Sequence, residues 1–381
     1  MHFLRHFYQA SLVGLLLLTL HSEAVRAQST EPWTQFSIHA KEEYKYGYKD
    51  ANGRIRIPAK FGSFTNAMKF NNIMAVGESK SYGQYYLLKN GRTVGRDSVY
   101  MFDYTPDCEN EGKIKFRDAR RNRVGFFDAR GKVVIPARYN YVTPFHNGLA
   151  VGLIGARQTC GSGFDTLHCE HPGWTGGRTV LLNARNEVLV DSFVAPNRSS
   201  GYLNWYSLKI NTPTPDTVTT VSFRAVNGDQ YTFLDYEKEF RHWLYEVFVA
   251  IVRAGQPLQL QALCFADIAV ATRPFRGWPH FTPAAFVAKY QRATLLPKLG
   301  ALQRVTPGVS IFSGDLNTLT FTSSDFQPFL TDCGEHFSEK YPVFELMLTY
   351  PAQPASAPVE HQEHFEFIRT ASGYRLFSVS L

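Results

Sequence analysis

Gly47-Tyr48-Lys49-Asp50-Ala51-Asn52-Gly53-Arg54-Ile55-Arg56-Ile57-Pro58-Ala59-Lys60-Phe61 returns later in the chain as Gly125-Phe126-Phe127-Asp128-Ala129-Arg130-Gly131-Lys132-Val133-Val134-Ile135-Pro136-Ala137-Arg138-Tyr139. In each stretch Asp opens a four-residue turn and Gly closes it, at a position where positive φ suits glycine. Ile-x-Ile or Val-Val-Ile then supplies a β-branched strand, and proline stops it because it cannot donate to a ladder. Both copies read strand, tight turn, strand.

Working outward, the same outline is found twice more. Tyr85-Tyr86-Leu87-Leu88-Lys89-Asn90-Gly91-Arg92-Thr93-Val94 turns at Asn90-Gly91, and Val180-Leu181-Leu182-Asn183-Ala184-Arg185-Asn186-Glu187-Val188-Leu189-Val190 turns between Asn183 and Asn186. Asparagine is the residue after glycine that best tolerates the left-handed region, so Asn186 keeps the turn geometry. The longest interval between turns holds Cys160 and Cys169, which reads as an insertion. A second signal accompanies the turns: Phe70-Asn71-Asn72-Ile73-Met74-Ala75-Val76 corresponds to Phe145-His146-Asn147-Gly148-Leu149-Ala150-Val151. Each reads as a turn leading into a buried strand. A unit of two or three short strands cannot bury its apolar face alone, whereas stacked units can.

The pattern Gly-aromatic-x-Asp-x-x-Gly-x-x-x-Ile-Pro, followed by Phe-x-x-Gly-Leu-Ala-Val, resembles the WG-repeat family of bacterial proteins. This chain has Tyr46-Gly47 and Val124-Gly125 where that family has Trp-Gly. The resemblance covers roughly residues 30 to 195. It implies an all-β repeat array that acts as a binding or scaffolding module, with no catalytic residues to carry over.

The rest of the chain changes period. Asn211-Thr212-Pro213-Thr214-Pro215-Asp216-Thr217 reads as a boundary, and Asn227-Gly228 as a hairpin turn within Val221 to Phe233. Tyr236, Phe240, Trp243, Leu244, Val247, Phe248 and Ile251 then fall at helical spacing, with Asp235 as N-cap and Gly255 and Pro257 as the stop. Thr282-Pro283 opens a second helix whose apolar face includes Phe286, Val287 and Tyr290. Strands are expected at Leu319 to Thr322, Val343 to Tyr350, His364 to Thr370 and Tyr374 to Val379, with a Pro/Ala/Ser loop from Pro351 to Pro358. The expected fold class is thus an all-β repeat array followed by an α+β domain, helices first and a curved antiparallel sheet after. That ordering resembles the cone-shaped nuclear-transport-factor-like fold, which hosts both enzymes and binding domains.

The expected organisation is a signal peptide at 1–27, a β-repeat domain at 28–210, a linker or hairpin at 211–230 and an α+β domain at 231–381. The signal reading rests on His2, Arg5 and His6 before the apolar run Leu12 to Leu20, and on small residues at Val25-Arg26-Ala27. That run is too short for a membrane span, and no later stretch approaches one. An exported protein, periplasmic, secreted or associated with the envelope, follows. The formal charge of +7 comes from scattered Lys and Arg without a nucleic-acid footprint, so nucleic acid is not an expected partner.

Five cysteines, at 108, 160, 169, 264 and 333, suit disulfides in an oxidising compartment. Spacing suggests Cys160 with Cys169 and Cys264 with Cys333, leaving Cys108 odd, although connectivity is not legible from sequence. Cys160 and Cys169 with His168 and His171 resemble a zinc set, but eight intervening residues favour a disulfide loop or free thiols over a knuckle. His361 and His364 lie in an alternating stretch, which puts them on opposite faces of a strand. Asp267, His280, His336 and Glu345 are the polar residues to inspect in a C-terminal pocket. The recurring aromatics Tyr46, Tyr48, Phe61, Phe126, Phe127 and Tyr139 are expected in the core, at the phase inter-repeat packing demands.

No nucleotide loop, nucleophile elbow or metal knuckle is present, so no catalytic, cofactor-binding or metal-ligating residue is assigned. The expected function is an exported, non-enzymatic binding or scaffold protein whose repeat surface meets a protein or glycan partner. The alternative is a small-ligand carrier, or a hydrolase- or isomerase-like enzyme, using a pocket in the C-terminal domain.

Overall fold

The computed structural model describes residues 31–40, 43–78, 83–160, 169, 172–194, 202–213, 216–275, 277–304, 308–350 and 361–381. The expected signal segment 1–27 and the loop 351–358 lie outside the described residues, as do His168 and His171.

The repeated stretches fold as their turn chemistry demands. Asp50 Oδ1 accepts from the backbone N–H groups of Asn52 and Arg54 at 3.0 Å each, while Gly53 N–H donates to the Asp50 carbonyl at 2.9 Å. Asp128 and Gly131 repeat the arrangement. Asn183 and Asn186 repeat it with asparagine at both positions. Gly53, Gly131 and Asn186 sit at φ of 77°, 71° and 66°, the left-handed region in each case.

These turns belong to small antiparallel sheets. The first contains Trp33–Ala40, Glu43–Lys49, Ile55–Phe61 and Lys69–Phe70; the second, Ile73–Gly77, Gln84–Leu88 and Thr93–Val94. The third contains Lys113–Asp118, Arg123–Asp128 and Val133–Tyr139; the fourth, Tyr141–Val142, Leu149–Ile154, Arg178–Asn183 and Val188–Val190. In the fifth, Gln230–Asp235 lies between Leu203–Ile210 and Thr220–Arg224. The stretch expected as linker therefore runs within a sheet, because the Asn227-Gly228 hairpin pairs back onto Leu203–Ile210.

Alternation along each strand feeds two cores at once. Met74, Val76, Tyr85 and Leu87 of the second sheet pack with Tyr48, Phe61 and Phe70 of the first. Their neighbours Ile73, Ala75, Tyr86 and Leu88 pack with Ile114 and Phe127 of the third. Val180 and Leu182 of the fourth sheet face Phe126, Ile135 and Tyr139, whereas Leu149, Val151 and Leu181 face Leu203, Trp205 and Phe233 of the fifth. A period of two thus makes each inner sheet a filling between two layers. Buried tyrosine hydroxyls bind the layers together: Tyr86 donates to the Lys115 carbonyl at 2.6 Å, and Tyr139 to Asn186 Oδ1 at 2.6 Å.

Gly47 and Gly125, the glycines at the head of the pattern, sit beside register shifts in their strand pairs. A Cβ on Gly47 would lie 2.6 Å from the Ile57 carbonyl oxygen and 2.7 Å from the Ala59 nitrogen. Gly125 meets Ile135 and Ala137 in the same way. The glycine is required by backbone crossing closely over backbone at a bulge.

The C-terminal part opens with a helix over Tyr236–Trp243, capped by Asp235 and continued through a π turn at Leu244–Phe248 into Val249–Ala254. Gly255 at φ 67° ends it. Pro257–Ala262 and Pro283–Tyr290 are further helices, the latter capped by Thr282. They cover one face of a six-stranded sheet ordered His280–Phe281, Cys264–Ala271, Gly373–Ser380, His361–Thr370, Val343–Tyr350, Val309–Gly314. The pair Cys264–Ala271 with Gly373–Ser380 is parallel, and the remaining pairs are antiparallel. Phe240 stacks on Phe344 at 4.7 Å, and Arg369 forks onto Glu239 at 2.8 and 3.0 Å, joining helix to sheet.

Further expectations need correction. Pro58 and Pro136 do not end their strands, which continue as Ile55–Phe61 and Val133–Tyr139 through a shift of register. Leu319 to Thr322 is a turn rather than a strand: Asn317 Oδ1 accepts from the Leu319 and Thr320 N–H groups, and Leu319 is 90% exposed. The chain then forms the 3-10 helix Ser324–Phe329, whose phenylalanines cover the second face of the sheet. The strand Cys264–Ala271 lies between two helices in the chain and pairs in parallel with Gly373–Ser380, so the sheet is mixed rather than an antiparallel one that follows the helices. Finally, Cys333 pairs with Cys108, not Cys264. Cys264 is a free thiol buried among the helices, and burial pushes it up to about 12.

Candidate functional site

The two halves meet along the loop 330–340. Its Cys333 is bonded to Cys108, and its Asp332 carbonyl accepts from Lys69 N–H at 2.9 Å. The Asp332 carboxylate contacts Asn71 Nδ2. Further along, Phe337 lies 5.8 Å from the His146 ring and 6.5 Å from the Tyr206 ring. Asn71 and His146 occupy the same place in the two copies of the Phe-x-Asn lead-in, so one loop touches equivalent points of two sheets.

The approach of the front sheets to this loop is braced by two acids from a single segment. Glu109 accepts from the N–H groups of Asn72 and Ile73 at 2.8 and 2.9 Å. Glu111 accepts from Gly148 N–H at 2.8 Å and from Asn147 N–H. Each carboxylate satisfies the turn before a buried strand, Ile73–Gly77 in one case and Leu149–Ile154 in the other. Burial pushes the Glu109 carboxyl above its ordinary range despite those donors.

Between the sheets and the loop lies a cleft of about 420 Å³. Its wall on the sheet side carries Tyr100, Phe102, Asp107, Lys115 and His146; the loop contributes Glu335, Phe337 and Glu339. Lys115, only 6% exposed, pairs with Asp107 at 2.9 Å and lies 4.5 Å from the Tyr100 ring centroid. Burial alone would lower its pKa, but Asp107 and the nearby phenols outweigh this and hold the ammonium charged. His146 is 4% exposed, and neither ring nitrogen makes a hydrogen bond. Its Nε2 stands 3.7 Å from the Glu339 carboxylate. Burial pushes this imidazole below its ordinary pKa, with Glu339 and Glu111 opposing. Burial and the carboxylates of Asp107, Asp315 and Glu339 push Glu335 upward, against Lys115.

The residues singled out from sequence do not converge. Asp267 pairs with His280 at 2.8 Å, His336 with Asp315 at 2.6 Å, and Glu345 with His364. Of these, only His336 lines the cleft. His361 lies on a strand, as expected, 3.2 Å from the buried Glu363, which also binds Tyr350 at 3.0 Å and Lys298. Burial raises the Glu363 carboxyl, but Lys298, His361 and Tyr350 outweigh it and leave a lowered pKa. Cys160 and Cys169 are joined in a disulfide, which removes both sulfurs from any zinc set. Tyr48, Phe61, Phe126, Phe127 and Tyr139 are buried in the core, whereas Tyr46 is half-buried against it. The space between the C-terminal helices and their sheet is filled by Phe240, Phe248, Phe344, Phe367 and Tyr374.

Sequence reading missed Lys115, His146 and the loop acids. One signal was present: the second copy of the lead-in carries a histidine, His146, where the first carries Asn71.

A family model described as WG containing repeat matches residues 125–151. This span includes the Asp128–Gly131 turn and the lead-in bearing His146. No curated protein and no solved structure matches the chain. Among the described residues no helix is long and apolar enough to cross a membrane, and no cluster of three or more His, Cys, Asp or Glu side chains could hold a metal ion.

Proposed function

We propose that the protein is an exported, non-enzymatic binding protein in which a WG-type repeat array forms a rigid frame and a partner seats where the frame meets the loop 330–340. The observation that carries this reading is the cleft of about 420 Å³ walled by both halves and floored by buried Lys115 and His146. Concave sites at domain junctions are the usual place for ligands. Four stacked cores and the Cys108–Cys333 bond keep the two walls at fixed separation, which lowers the ordering cost of binding. Two disulfides support export, since such bonds persist in oxidising compartments. In this reading the C-terminal helices and mixed sheet serve to hold the loop.

The test is capture from envelope extract and culture medium by the full mature chain, compared with Ser338→Trp, which fills the cleft. Specific partners retained by the wild type and lost by the variant, with unchanged melting, are expected. Equal capture by both would move the binding surface away from the cleft.

A further inference from the structure

We infer that the cleft receives an organic cation, an alkylammonium or guanidinium group; this rests on reading the cleft as the binding site. The acids around it fall into two classes. Asp107 is neutralised by Lys115, Glu109 is occupied by backbone N–H groups, and Asp332 has Lys69 and Asn71. Glu335 and Glu339 have no Lys or Arg partner among the described residues, and both face the cleft. Glu335 is partly desolvated and feels the carboxylates of Asp107, Asp315 and Glu339, a load that a positive charge placed in the cleft relieves.

A second observation, independent of the acids, points the same way. His146 is almost fully buried, lines the cleft and leaves both ring nitrogens without a hydrogen bond. A buried polar group without a partner costs free energy that a ligand can recover. A neutral imidazole offers one acceptor nitrogen, which an ammonium or guanidinium N–H can fill. Aromatic faces complete the set: Tyr100 and Phe337 line the walls, and Phe102, 71% exposed, stands at the rim. Carboxylates with aromatic rings form the usual receptor for organic cations. Two sources carry a guanidinium or ammonium, a free amine and an arginine or lysine side chain of a partner protein; the chemistry at the cleft is the same.

The experiment is calorimetric titration of the full mature chain at neutral pH and physiological salt. The probes are agmatine and putrescine as free cations, N-acetylated and C-amidated Gly-Arg-Gly and Gly-Lys-Gly as peptide cations, and N-acetylated, C-amidated Gly-citrulline-Gly as the uncharged control. Saturable one-to-one binding of a cation, at least tenfold tighter than the control, is expected. It should weaken at least tenfold in Glu335→Gln/Glu339→Gln, and His146→Gln should also weaken it while melting like the wild type. Binding of the free amines assigns a small-molecule ligand; binding confined to the peptides assigns a side chain. No cation preference, or a preference that survives the double substitution, overturns the inference. If Ser338→Trp still abolishes partner capture in that event, the cleft remains the binding site and only its charge preference falls.

Discussion

At the scale of single residues, His146 ties stability to pH. The groups facing it are Glu339, Glu111 and Lys115, and burial keeps its folded pKa below the unfolded value of about 6.5. Above that value both states are neutral. As pH falls through it, the unfolded chain takes up the proton first, and native stability drops until the folded pKa is passed. Urea melts at pH 7.5 and 5.5 should therefore show a larger acid loss in the wild type than in His146→Gln; equal losses would remove the imidazole from the account. Glycines offer a second residue-level test. Gly47→Ala drives a Cβ into backbone and should cost about 1–3 kcal/mol. Gly53→Ala meets nothing within 4 Å, so only its positive φ is penalised, at about 1 kcal/mol. Denaturant midpoints in the reverse order would refute the close-crossing explanation.

At the scale of elements, the turns do more than reverse the chain. Asn186 both adopts the left-handed conformation and accepts from the Tyr139 hydroxyl in the adjoining sheet. Asn186→Gly should thus lose about 1 kcal/mol despite the easier backbone. A double-mutant cycle with Tyr139→Phe should give a coupling energy of similar size, and additivity would show that the bond is not stabilising. This element level is also where the sequence was most legible. Asp50, Gly53, Asp128 and Gly131 announce their turns through local hydrogen bonds, whereas Pro58 and Pro136, expected to end their strands, lie inside them where the pairs shift register. Leu319 to Thr322 misled because its apolar and β-branched residues resemble a strand, whereas the side chain of Asn317 had already committed the backbone to a turn. The cleft was not legible for a different reason. Lys115 occupies an ordinary polar place in an alternating strand, and the cleft it lines exists only because residues 330–340 return to face it. No local pattern encodes that approach.

At the scale of the whole molecule, the Cys108–Cys333 bond spans 225 residues, and the Cys160–Cys169 bond spans 9. In the chain-entropy picture these closures restrict the unfolded ensemble by about 5 and about 3 kcal/mol respectively. Cys333→Ser should therefore destabilise the protein more than Cys160→Ser, and its unfolding should also release the loop that forms one wall of the cleft. Denaturant melts of the two variants, read beside cation binding, check both parts; the opposite ranking would mean that the loop is held chiefly by Asp332, Phe337 and their neighbours.

The same long bond makes most of the described chain a closed ring with two tails. A peptide bond cut at any single place between residues 108 and 333 leaves one covalent molecule, because the severed ends stay joined through sulfur. A nicked protein would travel on a denaturing gel as a single species until a reductant is added, and then fall into two. Wherever proteases are met more often than reductants, damage of that kind leaves the molecule in one piece.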